Sequence, residues 1–211
     1  MQNKGLALDI DIFNDSGKPV KNTKGEFVCK NPFPSMPIKF WNDYKDTKFK
    51  SAYFKRFKNT WHHGDYAEIK KTGGFVIYGR SDTTLNPGGV RLGTAEIYSE
   101  VEKFNEIKES IVVGQLWDND VRIILFVVMN KKYTFSENLS TRLKLQIKRN
   151  ASPRHVPSKV IIVKDIPRTK SGKIVELAVR KLINGEELNN KEAIANPESL
   201  DFFKNLSQLK I

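Results

Sequence analysis

Two apolar runs, Ile111–Leu116 and Val121–Met129, flank the turn-forming stretch Trp117-Asp-Asn-Asp120. Short runs of this kind on either side of a polar turn read as two strands joined in a hairpin. Around them, Thr94–Lys103, Leu139–Arg149 and Ile174–Ile183 have helical spacing, and Val160–Lys164 reads as a further strand. Thr94 can cap the first of these helices, with Glu96 in its acid-favouring first turn. Helices and strands that alternate in this way predict a compact α+β unit after Asp82. Residues 184–211 are polar and interrupted by Pro197, and are expected to wrap the surface.

The region before Asp82 has a different character. Leu6–Phe13 alternates apolar and acidic residues, the period of a half-exposed strand. Asn14-Asp-Ser-Gly17 is a turn and Gly25–Lys30 the returning strand. Pro32, Pro34 and Pro37 impose an extended, irregular segment. Residues 47–57 read as a short aromatic and basic helix, whose Phe49, Tyr53, Phe54 and Phe57 suit core packing better than base stacking. Trp61-His-His-Gly-Asp65 is expected to be a loop, followed by a hairpin of Tyr66–Ile69 and Phe75–Tyr78 around Lys71–Gly74.

A chain of 211 residues is long enough for one large or two small domains with a substantial core. No apolar run approaches the roughly 18 residues that span a bilayer, and the first residues hold no apolar signal core. The single Cys29 offers no internal disulfide and reads as a small buried hydrophobe, which suits a reducing cytoplasm. The formal charge of +12 divides evenly between 1–82 and 83–211, with lysines scattered among acids. That pattern fits a lysine-rich surface or an anionic small ligand better than a nucleic-acid-binding face.

Chemistry concentrates in Pro167-Arg-Thr-Lys-Ser-Gly-Lys173, where a lysine follows Ser-Gly at the tip of a tight turn. An ammonium held there can reach phosphate or carboxylate oxygens. A second phosphate-compatible stretch runs from Gly79-Arg-Ser-Asp82 to Gly88-Gly-Val-Arg91. Ser171-Gly-Lys173 is not the end of a nucleotide P-loop, since Pro167 stands where its first glycine is required and Ile174 where Ser or Thr is required. His62, His63 and Asp65, with His155 as a distant third histidine, make a poor metal set, because adjacent side chains on an extended chain point to opposite faces. Ser152 and His155 read as a turn rather than a catalytic pair, given Pro153 between them.

Six ordered segments carry a resemblance: Asn31-Pro-Phe-Pro-Ser-Met-Pro37, Trp61–Asp65, Gly79–Asp82, Leu85-Asn-Pro-Gly-Gly-Val-Arg-Leu-Gly-Thr-Ala-Glu-Ile97, Ser152-Pro-Arg-His-Val-Pro157 and Pro167–Lys173. Together they resemble the C-terminal third of the adenylate-forming acyl-CoA synthetases, and within them the branch that activates acetoacetate. The resemblance implies that 1–82 is the β-rich end of the large ATP- and acyl-binding domain, and 83–211 a small mobile α+β lid hinged at Asp82. It implies that Asp65 binds the ATP ribose, Arg80 the ribose or phosphate region, and Arg91 phosphates. Lys173 would serve adenylation, Gly88 and Gly89 would line the path of the CoA pantetheine arm, and Lys148 with Arg149 would meet CoA phosphate. The implied substrates are ATP, acetoacetate and CoA, with Mg2+ held mainly by a large N-terminal portion, and neither nucleic acid nor membrane as partner. The family's Gly/Ser/Thr-rich phosphate loop and its aromatic-Gly-x-Thr-Glu segment are absent. The chain is therefore expected to be a fragment, inactive alone and cytoplasmic. A piece of an acetyl- or propionyl-CoA synthetase, or a non-catalytic module binding CoA or a protein, are the alternatives.

Overall fold

In a computed structural model, described over residues 3–188 and 191–210, the chain divides into two compact units, Met1–Asp82 and Thr83–Ile211. The first is built on four antiparallel strands in sequential order: β1 (Ile10–Phe13), β2 (Gly25–Cys29), β3 (Trp61–Ile69) and β4 (Phe75–Arg80). Ile10, Ile12, Ala67 and Phe75 form one apolar cluster, and Phe13, Val28 and Phe57 another. Cys29 is buried beside them as a free thiol. Helix α1 (Thr47–Tyr53) sets its aromatic residues against the sheet, with Tyr53 stacked on Trp61 at 3.7 Å.

In this unit three boundaries move by four residues or more from those expected. The first strand starts at Ile10 rather than Leu6, because Ala7 takes a positive φ of 63° in a turn. Helix α1 stops at Tyr53, four residues short of Phe57, which instead packs edge-on to Phe13 at 5.4 Å. Trp61–Asp65 is not a loop but the first half of β3, paired with β2 through Cys29↔Trp61 and Val28↔His62. The register shifts between Glu26 and Val28, so β3 bulges where Gly64 sits at φ 85°. Pairing on both sides overrides the local turn signal, and the bulge accommodates the residues that break the alternation.

The second unit is organised by β5 (Ile107–Trp117) and β6 (Asp120–Met129), an antiparallel hairpin, with β7 (Lys159–Ile162) parallel to β6. Asp118 and Asn119, at φ 50° and 59°, form the two-residue turn whose left-handed residue conformations match the right-handed twist of the paired strands. Both faces of the hairpin are buried. Val112, Ile123, Leu125 and Val127 meet α2 (Thr94–Val101) and α3 (Glu137–Asn150) through Ile97, Val101, Leu139, Leu143 and Ile147. Ile111, Val113, Ile124 and Phe126 meet Val179 of α4 (Glu176–Ile183) on the other face.

Thr94 does not cap α2. Gly93 holds the N-cap position in an extended conformation, and Thr94 becomes the first helical residue, buried at 3% exposure. Nor does the C-terminal segment merely wrap the surface: Leu200, Phe203 and Leu209 are buried, while Asn189 and Asn190 lie outside the described residues. Phe203 packs edge-on to Phe126 at 4.9 Å, so this segment closes the second face of the sheet. Phe203→Ala is expected to cost about 3–5 kcal/mol of stability, the range for an aromatic deleted from a packed core. Urea unfolding should show that loss, and an unchanged midpoint would mean the segment is dispensable to the fold.

Candidate functional site

The sequence-derived site residues occupy both units, and each group has its own geometry. In the first unit, β3 and β4 pair Asp65 directly with Arg80. The Arg80 guanidinium reaches Asp65 Oδ1 at 3.4 Å and the His63 carbonyl at 3.3 Å, and its Nε lies 3.6 Å from Asp82 Oδ1. His63 Nδ1 is 2.7 Å from Asp65 Oδ2. A side chain at Gly64 would meet the Arg80 guanidinium at 2.7 Å, so the bare backbone lets that group lie across the bulge. Asp65, Arg80 and Asp82 are thus brought together as one charged cluster at the end of the sheet.

Burial works to raise the Asp65 carboxyl. The hydrogen bond and charge of His63, with the charge of Arg80, outweigh it and hold the group below its ordinary value. The neighbouring His62 faces away, with Nε2 2.7 Å from Glu26 Oε2. Glu26 is fully buried and is matched there by His62, by Arg56 at 3.1 Å and by the Ser81 hydroxyl. The two histidines therefore serve different carboxylates. Among the described residues no group of three or more His, Cys, Asp or Glu side chains could hold a metal ion.

In the second unit, Leu85 and Leu92 exchange both backbone hydrogen bonds and close a loop that carries Gly88, Gly89 and Arg91. Gly88 and Gly89 stand at φ 58° and 73°, inside a short 3-10 turn. Arg91 Nε donates to Thr84 Oγ1 at 3.0 Å. Lys148 and Arg149 are exposed in the last turn of α3, where the helix dipole favours cations whatever else they bind.

Lys173 lies on a third element, the turn before α4. Thr169 N–H donates to the Lys173 carbonyl at 2.8 Å, and Lys173 N–H donates to Thr169 Oγ1 at 3.1 Å. Arg168 braces the turn from behind: one guanidinium nitrogen donates to the Gly172 carbonyl at 2.8 Å and another meets Glu109 of β5 at 2.9 Å. The backbone is thereby held while the Lys173 side chain projects into solvent.

Residues 96–173 match the AMP-binding enzyme C-terminal domain, a span that ends on this lysine. Over 210 residues the chain is 56% identical to an acetoacetyl-coenzyme A synthetase of Rhizobium meliloti (strain 1021), covering 100% of this chain and 32% of the relative. The chicken (Gallus gallus) acetoacetyl-CoA synthetase is 45% identical with the same coverage. Among solved structures, an acetoacetyl-CoA synthetase from Streptomyces lividans superposes with a TM-score of 0.91 at 39% identity, over 100% of this chain and 32% of that one. The chain matches a C-terminal portion of acetoacetyl-CoA synthetases. It spans about a third of the length of these relatives.

Within the matched span, Glu96 and His155 form a link that sequence reasoning missed. His155 Nε2 lies 3.2 Å from Glu96 Oε2, and its Nδ1 lies 2.8 Å from Ser152 Oγ. Ser152 also accepts the Arg154 N–H, so the trio caps a turn and ties it to α2. The contacts made by His63, Glu26 and Arg168 were not foreseen either. Arg168 sits within the Lys173 motif, but its partner Glu109 is 59 positions away in sequence and no local pattern joins them.

A depressed Asp65 pKa has a definite sign. Its stabilisation is present above the ordinary carboxylate pKa of about 3.9 and is lost as pH falls through the lower folded value. His63→Ala should move the Asp65 midpoint upward, read from its carboxyl carbon shift against pH. An unmoved midpoint would exclude His63 as the cause.

Proposed function

We propose that this chain supplies the C-terminal portion of an ATP-dependent acetoacetyl-CoA synthetase, which joins acetoacetate to CoA through an acyl-adenylate. The observation that carries this reading is the 56% identity to one such enzyme across the whole chain. Residues 1–82 serve as the end of the large ATP- and acyl-binding domain, and 83–211 as the mobile lid, with Asp82 the hinge. Asp65 accepts hydrogen bonds from the ATP ribose hydroxyls, and Arg80 holds that carboxylate while donating toward the nucleotide. Arg91 meets phosphate.

Lys173 acts in the first half-reaction. The acetoacetate oxygen bonds to the α-phosphorus of ATP and pyrophosphate leaves, while the ammonium offsets charge repulsion between nucleophile and phosphate. In the second half-reaction the CoA sulfur bonds to the acyl carbon and the bond from that carbon to the phosphate oxygen breaks. AMP leaves with the electron pair, and the thiol proton passes to solvent. Gly88 and Gly89 border the path of the thiol arm, and Lys148 and Arg149 meet CoA phosphate. Mg2+ would be held mainly by the N-terminal portion of the complete enzyme. The complete enzyme works in the cytoplasm on small molecules, and the chain alone does not complete the reaction.

The surface of the first unit supports a covering polypeptide. Leu6, Ile38, Trp41 and Tyr44 are all at least 90% exposed, an unusual share of large apolar side chains left to water. Replacing Lys173 by Ala in the complete synthetase tests the reading. Pyrophosphate exchange should fall by about 10²–10³-fold, while thioester formation from supplied acetoacetyl-adenylate persists. Equal loss in both half-reactions would refute the role given to Lys173.

A further inference from the structure

The loop carrying Gly88 and Gly89 is pinned from outside. Asp120, the first residue of β6, turns its carboxylate onto the Gly88 N–H, with Oδ1 at 2.9 Å and Oδ2 at 3.0 Å. Two successive glycines at positive φ make a chain segment with more conformational freedom than any other pair of residues allows. A side chain built at either glycine would meet nothing within 4 Å. Packing therefore does not require glycine there; the backbone conformation does. The Leu85–Leu92 pairing closes the base of the loop, and the charged acceptor on the Gly88 N–H restrains its tip.

The strand that carries Asp120 is held by the side chain two residues on. Arg122 stacks on Trp117 at 3.7 Å, donates to Gln115 at 2.8 Å and donates to the Leu209 carbonyl at 2.7 Å. The hairpin tip is thus fixed to the C-terminal segment on one side and to the glycine loop on the other. Between tip and loop lies an open cleft of about 630 Å3, lined by Asn86, Gly89, Leu116, Trp117, Asp120 and Val121. Leu116 is 66% exposed and lines this cleft together with the backbone of Gly89.

We propose that Asp120 is a positioning residue for thioester formation: it holds the Gly88-Gly89 backbone in the shape past which the thiol arm of CoA reaches the acyl-adenylate. This rests on the reading that the glycine loop borders the thiol path. Asp120 touches neither substrate nor reacting atoms, and it has no part in adenylation.

The test uses the complete synthetase and measures the two half-reactions separately. Asp120→Ala should lower the rate of thioester formation from supplied acetoacetyl-adenylate and CoA by at least about tenfold, since small misplacements in a reacting geometry carry losses of that order or more. Pyrophosphate exchange should stay within about twofold of the parent rate. Asp120→Asn keeps an oxygen that can accept the Gly88 N–H and should restore most of the thioester rate. Equal loss in both half-reactions, the result of general destabilisation, would overturn the proposal. Gly89→Leu separates it from the reading beneath it. If Gly89→Leu blocks thioester formation and Asp120→Ala does not, the positioning role of Asp120 fails and the reading of the loop stands. If Gly89→Leu leaves thioester formation intact, the loop does not border the thiol path and both fail.

Discussion

The second unit depends on the cross-strand register of β5 and β6. Val112 faces Leu125, while Ile111 faces Phe126 and Val113 faces Ile124. Side chains alternate across a strand, so the first pair enters the layer with α2 and α3 and the other two enter the layer with α4 and Phe203. A slip of one residue would exchange the two sets and place Phe126 among the side chains packed for Leu125. Because both faces are buried, neither set has solvent as an alternative, and burial of each large apolar side chain favours the register by about 1.5–3 kcal/mol.

The chemistry-bearing segments of that unit hang on this frame through polar links. The lysine turn is braced to β5 by Arg168 and Glu109, and the glycine loop is pinned to β6 by Asp120. Tyr98 of α2 accepts the Val112 N–H at 3.1 Å and donates to Glu176 at the start of α4. Burial first, then the charge and hydrogen bond of Glu176, push the Tyr98 phenol well above its ordinary value, so it keeps the proton that this donation requires. In the lysine turn and the glycine loop the backbone is restrained while the Lys173 side chain and the glycine face are left outward. The first unit uses the same device around a different centre. Glu26, fully buried, gathers Arg56, His62 and Ser81, an arrangement in which loss of any one partner leaves a buried carboxylate undercompensated.

Much of the fold was legible because its signals are local. The hairpin was visible from two β-rich runs and a polar turn, and α3 and α4 from their spacing. The misreadings have local causes too. Gly64 and its charged neighbours imitate a loop at Trp61–Asp65, and nothing within that pentapeptide reports the strands that pair with it on either side. The final segment looks polar because Leu200, Phe203 and Leu209 are spread thinly along it, and their burial depends on a sheet face formed far upstream. Arg80, Gly88, Gly89, Arg91 and Lys173 lie in two phosphate-compatible stretches, and Asp65 was singled out by the family resemblance. Glu26, Glu109 and Asp120 do not stand out, since a carboxylate that serves a distant partner leaves no mark in its own neighbourhood.

The sequence by itself determined the α+β class, the elements around the central hairpin and the turn that presents Lys173. Periodicity, β-branching and turn chemistry act over a few residues and need no distant partner. Only the tertiary structure decided which groups hold these features in place. His62 meets Glu26 across 36 positions, Gly88 meets Asp120 across 32, and the Leu209 carbonyl accepts from Arg122 across 87. Contacts of that separation are consequences of strand register and layer packing. They exist only once apolar burial has brought the segments together, which is why no reading along the chain could have named them.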